Sequence, residues 1–116
     1  MAIKFFNTLS RKKEKFTPIK SGEVGLYTCG PTVYDYAHIG NFRTFIFEDL
    51  LKRYLLHKGY KVNHIMNITD VDDKTIKKSI VENTSLKELT NKYSNIFFSD
   101  LEWLKILPAN YYPRAT

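Results

Sequence analysis

Two short apolar runs, VGLYTC at residues 24–29 and YKVNHIMNI at residues 60–68, flank the segment FRTFIFEDLLKRYLLHKG, and no other feature constrains the fold as tightly. In the middle segment Phe42, Phe45, Ile46, Leu50, Tyr54 and Leu55 recur at three- and four-residue steps, which predicts a helix with a broad apolar stripe. Gly59 supplies its stop, and its start falls between Asp35 and Asn41. The last run alternates: Tyr60, Val62, His64, Met66 and Ile68 share one face, and Lys61, Asn63, Ile65 and Asn67 the other. The first run is short and uniformly apolar, as a buried strand is. Strand, helix and strand within about 45 residues make a parallel βαβ unit with a right-handed crossover. The fold class is therefore α/β.

Around that unit the chain divides into three stretches. Residues 1–20 read as a short strand, IKFFNTL, and a basic loop; residues 21–70 hold the βαβ unit; residues 71–116 read as helices and an irregular tail. The first stretch carries Lys4, Arg11, Lys12, Lys13, Lys15 and Lys20 against one acid, Glu14, and so holds most of the net charge of +6. Such an arm is either a solvated loop or a contact for a polyanion. In the third stretch KTIKKSIVEN reads as a short helix. Ser85 and Glu88 have capping-box spacing ahead of a helix whose face carries Leu89, Tyr93, Ile96, Phe97, Leu101 and Leu104. Pro108 and Pro113 break the tail, which offers no strand to close a sheet, so the chain reads as the front part of something larger. No run of 18 apolar residues predicts a membrane span, and the N-terminus lacks the pattern of a secretory signal. A single cysteine, Cys29, cannot form an internal disulfide and suits a reducing cytoplasm.

The chemistry-bearing residues fall at the ends of the two strands. Ligands of open parallel sheets bind outside the strands' carboxyl ends, beside the following helix N-terminus. Cys29, Gly30 and Pro31 lie at one such end, Thr69 and Asp70 at the other, and His38, Gly40 and Asn41 at the helix entrance. Unpaired amides and the helix dipole attract anions there, Gly40 permits close approach, and His38 and Asn41 can donate to phosphate oxygens. The alternative for His38 is a plain cap or core residue. A lone cysteine in an apolar strand is ordinarily a small buried hydrophobe; the alternative is a thiolate metal ligand. His57 and His64 have no metal-like spacing to it. Asp70, Asp72 and Asp73 lack the spacing of a calcium loop and read as caps for the helix that follows.

Taken together, FFNTLSRKKEKFTPIKSGEVGLYTCGPTVYD, HIGNFRTF, NITDVDDKTIKK and the closing PRAT resemble the N-terminal part of the cysteinyl-tRNA synthetase family, among the class I aminoacyl-tRNA synthetases. The resemblance implies a partial Rossmann-type nucleotide-binding fold with a parallel βαβ core and additional helices. HIGN is similar to the HIGH signature, with Asn41 in place of its second histidine, and KTIK is similar to the KIIK segment. It implies that Cys29 is one of four zinc ligands, the others lying outside this chain along with the KMSKS loop. Gly30 and Thr69 would contact the cysteine substrate; His38, Gly40 and Asn41 would meet Mg-ATP, with His38 and Asn41 catalytic. The implied partners are L-cysteine, ATP and the tRNA for cysteine, with no membrane. Two alternatives stand beside it: a related ligase joining cysteine to an amino sugar through the same adenylate, and a non-catalytic basic nucleic-acid-binding module built on residues 11–20.

Overall fold

A computed structural model describes residues 2–116, in the order β1 (Lys4–Asn7), β2 (Lys12–Lys15), β3 (Glu23–Thr28), α1 (Ile39–His57), β4 (Lys61–Met66), α2 (Asp73–Val81) and α3 (Leu86–Trp103). β3 and β4 pair in parallel, in step from Glu23 opposite Lys61 to Thr28 opposite Met66. α1 is the crossover between them and packs over both strands. Val24, Leu26 and Thr28 therefore share a face with Val62, His64 and Met66, and Leu55 of α1 closes a small core over Val24 and Val62. α3 lies on the same side of the sheet. Its Phe97 packs against Phe42 and Phe45 of α1, with ring centroids 6.3 and 5.1 Å away, inside a larger core that includes Met66, Ile68, Leu89, Tyr93 and Leu101.

Both downstream helices start as the sequence reading expected. Asp72 caps α2 by accepting the Thr75 amide at 2.8 Å, and Asp73 sits in the first turn. Ser85 and Glu88 form a reciprocal capping box on α3.

Three expectations need correction. The basic stretch is not all loop, because Lys12–Lys15 forms β2, paired antiparallel with β1. All four β2 residues are exposed on both faces, so the strand carries no apolar alternation and is held by its ladder of backbone bonds. The hairpin docks through Phe16, which meets Phe5 and Tyr60 edge-on at 5.4 and 6.1 Å.

The stripe expected on α1 splits in two. Phe42, Phe45 and Leu55 are buried, whereas Ile46, Leu50 and Tyr54, spaced four residues apart, form a separate row on the outer side and are exposed. Lys52 fills the inner side instead, buried and donating to the Pro108 carbonyl at 2.7 Å.

The tail, expected to be irregular and free of the sheet, runs parallel beside β4. Met66 donates to the Tyr111 carbonyl at 3.1 Å and Ile68 to that of Pro113 at 2.8 Å, while Ala115 donates back to Ile68 at 3.2 Å. Prolines weaken such a strand only as donors; Pro113 still serves as an acceptor. Among the described residues, no helix is long and apolar enough to cross a membrane.

Candidate active site

The rim forms where β3 and β4 end together. Thr69 donates its amide to the Pro31 carbonyl at 3.0 Å and accepts from the Val33 amide at 3.0 Å, which extends the parallel pairing past the strands. Gly30 donates to the Asn67 side-chain oxygen at 2.9 Å. A Cβ on Gly30 would sit 1.7 Å from the Asn67 carbonyl oxygen, so the two backbones touch and only glycine fits. Above this seam opens a cavity of about 460 Å³ whose walls include Cys29, Gly30, His38, Asn41, Thr44 and Lys74.

α1 enters the cavity wall by its N-terminus. His38 is the N-cap: its Nδ1 accepts the Gly40 amide at 3.1 Å, and Asn41 returns the favour by accepting the His38 amide on its side-chain oxygen at 3.0 Å. The donors are thereby assigned. With Nδ1 accepting, the imidazole proton is on Nε2, and with its oxygen engaged Asn41 keeps its NH₂ group to donate. No acidic residue occupies the first turn of α1; Asp35 lines the same cavity and is paired with Lys78 at 3.5 Å. A Cβ on Gly40 would lie 2.9 Å from the His38 ring, so glycine at 40 permits the cap. Gly40 itself is not among the residues lining the cavity.

Cys29 is one residue past β3, exposed and free of any disulfide. Within this chain Cys29 is therefore not a buried hydrophobe. Its Sγ has one weak partner, the neighbouring Gly30 carbonyl at 3.7 Å. An exposed, uncommitted thiol on a cavity wall fits the role of a single thiolate ligand. Among the described residues no three His, Cys, Asp or Glu side chains gather closely enough to hold a metal ion, so Cys29 stands as one donor rather than part of a complete set.

The remaining candidates separate. Thr69 lies on the seam behind Pro31 and Thr32 rather than among the lining residues. Asp70 turns away: its buried carboxylate accepts the Thr116 hydroxyl at 2.7 Å and lies 3.5 Å from Arg114. Burial alone would raise its pKa, but the Thr116 and Arg114 contacts outweigh that and hold it below the usual carboxylate range. His64 is buried under α1, its Nε2 2.8 Å from the Thr28 hydroxyl. Two rim residues escaped the sequence reading as site candidates. Lys74 opens α2 and stands over the Tyr34 ring, 5.6 Å from its centroid, and Asn67 reaches across the seam. The available signal for Lys74 was its place in the first turn of a helix that starts at the strand end.

A family model described as tRNA synthetases class I (C) catalytic domain matches residues 15–116. A relative from Chlamydia muridarum (strain MoPn / Nigg), named Cysteine--tRNA ligase, is 60% identical over 116 residues, all of this chain and 24% of its own length. Relatives bearing the same name are 62% identical over 111 residues in Chlamydia abortus, covering 96% of this chain and 23% of the relative, and 53% identical over 116 residues in Thermococcus kodakarensis, covering 100% and 24%. The chain spans about a quarter of the length of these curated relatives. With a partial parallel βαβ sheet, a capped helix entrance at its rim and a family match over nearly its whole length, the chain belongs to the class I (C) tRNA synthetase catalytic domain family.

Proposed function

We propose that this chain is the N-terminal part of the catalytic nucleotide-binding domain of a cytoplasmic cysteine–tRNA ligase. Residues 1–20 form its edge hairpin, 21–70 its βαβ unit with the HIGH-like motif, and 71–116 its following helices and tail. The observation that carries this is one cavity with a lone exposed thiol, Cys29, on one wall and His38 and Asn41 of the capped α1 N-terminus on another. The names and identities of the relatives support the substrate assignment. The exposed row Ile46, Leu50 and Tyr54 supports the view that further chain packs here, since a helix apolar on opposite sides is usually covered on both.

The reaction class needs few side chains of its own. The carboxylate of L-cysteine attacks the α-phosphate of ATP and pyrophosphate leaves, giving cysteinyl adenylate; the acyl group then passes to the terminal ribose of the tRNA. The carboxylate is already ionised, so the first step calls for no general base. Catalysis comes from position and charge. The His38 Nε2–H, the Asn41 NH₂ group and the positive end of the α1 dipole stabilise charge that builds on the phosphates of Mg-ATP, with Gly40 keeping the cap in place and the Lys74 ammonium adding a positive charge to the same cavity. Gly30 and Thr69 position the cysteine. Cys29, with ligands from outside this region, would hold a zinc ion, which when bound supplies an open site that takes a thiolate far better than a hydroxyl. That preference matters because a simple pocket separates cysteine from serine poorly.

The test is ATP–pyrophosphate exchange by the full-length protein that carries this region. Exchange is expected with cysteine and to be lower by orders of magnitude with serine, and the 116-residue chain alone is expected to be nearly inert. No cysteine-dependent exchange, or equal rates with serine, refutes the assignment.

A further inference from the structure

We infer that Asn67 is a positioning residue that presets the polarity of the two groups meeting the cysteine substrate, making Thr69 a hydrogen-bond donor and leaving Gly30 an acceptor. The inference rests on the reading above that Gly30 and Thr69 face cysteine.

Asn67 is the first residue beyond β4, and its side chain spans the seam. The side-chain oxygen accepts the Gly30 amide at 2.9 Å, and the NH₂ group donates to the Thr69 hydroxyl at 3.3 Å. A carboxamide is the side chain that accepts on one arm and donates on the other at this reach; aspartate could hold Gly30 but could not donate to Thr69.

The consequence follows by elimination. The Thr69 amide is spent on Pro31 and its carbonyl on Val33. Its hydroxyl oxygen accepts from Asn67, so the hydroxyl proton is what Thr69 has left to offer. On Gly30 the amide is spent on Asn67, and what it has left is a carbonyl oxygen that, among the described residues, meets only the Cys29 thiol, weakly, at 3.7 Å. One seam thus presents a donor and an acceptor. This is the complement of a zwitterionic amino acid, with the acceptor suited to an ammonium and the donor to an anionic end. Asn67 touches neither, yet its amide orientation decides both.

The full-length protein tests this with N67D, T69V, T69S and the double variant N67D/T69V, each assayed for the KM of cysteine, the KM of ATP and kcat in ATP–pyrophosphate exchange. N67D keeps the Gly30 bond but forces the Thr69 proton inward, onto the new carboxylate. The KM for cysteine is expected to rise about tenfold or more, with the KM for ATP within about twofold of wild type. T69S retains the hydroxyl and is expected to recover most of the cysteine affinity that T69V loses. In the T69V background, N67D is expected to add little, because the group it acts through is gone. Should N67D fail to fold, Asn67→Ala in the presence and absence of T69V carries the same comparison. An unchanged cysteine KM in N67D or N67A, an equal rise in the KM for ATP, or full additivity with T69V overturns the inference. Absence of cysteine-dependent exchange in the wild-type protein would instead defeat the proposed function, so the two failures are distinguishable.

Discussion

Replacing Gly30 with alanine puts a methyl group where the structure has no room. The new Cβ would lie 1.7 Å from the Asn67 carbonyl oxygen, 2.9 Å from its carbonyl carbon and 2.9 Å from Cγ of Met66. The Met66 side chain can yield, but the Asn67 carbonyl is main chain. Restoring a contact of about 3.5 Å requires the two backbones to part by about 2 Å. They cannot part alone, because the same seam carries the Thr69–Pro31 and Val33–Thr69 bonds just beyond. Overpacking of this kind costs about 1–3 kcal/mol. Loss of the Gly30–Asn67 hydrogen bond adds about 1 kcal/mol, and misalignment of the next pair about as much again. Alanine recovers about 0.5 kcal/mol by restricting the unfolded chain. The net destabilisation is about 2.5–4.5 kcal/mol, a large share of the total for a domain of this size.

At about 4 °C per kcal/mol, the midpoint of thermal unfolding of the 116-residue chain, followed by far-ultraviolet circular dichroism, is expected to fall by about 10 °C or more. Gly25→Ala is the control: a Cβ there meets nothing within 4 Å, and its melting temperature is expected to stay within about 3 °C of wild type. A G30A variant that melts within about 3 °C of wild type, or no differently from G25A, would refute the claim that the seam is a rigid backbone contact.

His38→Ala in the full-length protein is expected to lower ATP–pyrophosphate exchange by about a hundredfold while shifting cysteine affinity far less. It should also cost about 1 kcal/mol through the lost cap, which His38→Asn restores without restoring activity. Cys29→Ala is expected to abolish zinc retention in the purified full-length protein, measured by elemental analysis, and full zinc occupancy would contradict the ligand assignment. The 116-residue chain is expected to bind zinc only weakly in a titration, since one thiolate does not make a closed site. Burial, reinforced by the Lys52 charge and only partly opposed by Asp49, holds the His64 pKa below its ordinary value. The unfolded chain therefore gains a proton before the folded one, and stability should decline as pH falls below about 6.5. His64→Gln is expected to flatten that part of the pH–stability curve, and an unchanged slope would refute the assignment.

How much of this was legible depends on where each signal is stored. The βαβ unit was readable because β4 buries one set of alternating side chains and α1 carries an apolar period. β3 reads as uniformly buried, yet it buries Val24 and Thr28 and leaves Tyr27 exposed, because only one of its faces meets α1. The starts of α2 and α3 were readable because Asp72 and Ser85 bond within three residues of themselves. β2 was not, because a ribbon strand exposed on both faces leaves no apolar period, and KKEK reads as solvated loop. Burial on α1 was misjudged because apolar residues lie on both sides of it, and periodicity does not say which side meets the sheet. The tail was missed because its strand-like bonds are non-local. They depend on Lys52, Asp49 and Arg53 of α1 holding Pro108, Leu107 and Lys105 beside the sheet.

At the rim the same division appears within single side chains. The HIGN stretch pointed to His38 and Asn41, but the sequence could not say which of their atoms remain available, because that depends on bonds made after folding. Here the cap consumes Nδ1 of His38 and the side-chain oxygen of Asn41, and what is left on each is a donor. Along the seam, Gly30 on the cavity wall keeps an acceptor and Thr69 behind it keeps a donor. Asparagine at 41 fits this pattern: its forked amide accepts inward from the His38 backbone and donates outward with the other arm, so it can serve the helix start and an anion at once. A leucine at 41 would abolish both, whereas an aspartate would keep the cap and place a negative charge against the phosphates that the proposed function puts there. N41D is therefore expected to retain the wild-type melting temperature while raising the KM for ATP in the full-length protein. A variant that melts early but binds ATP normally would show that Asn41 serves the fold alone.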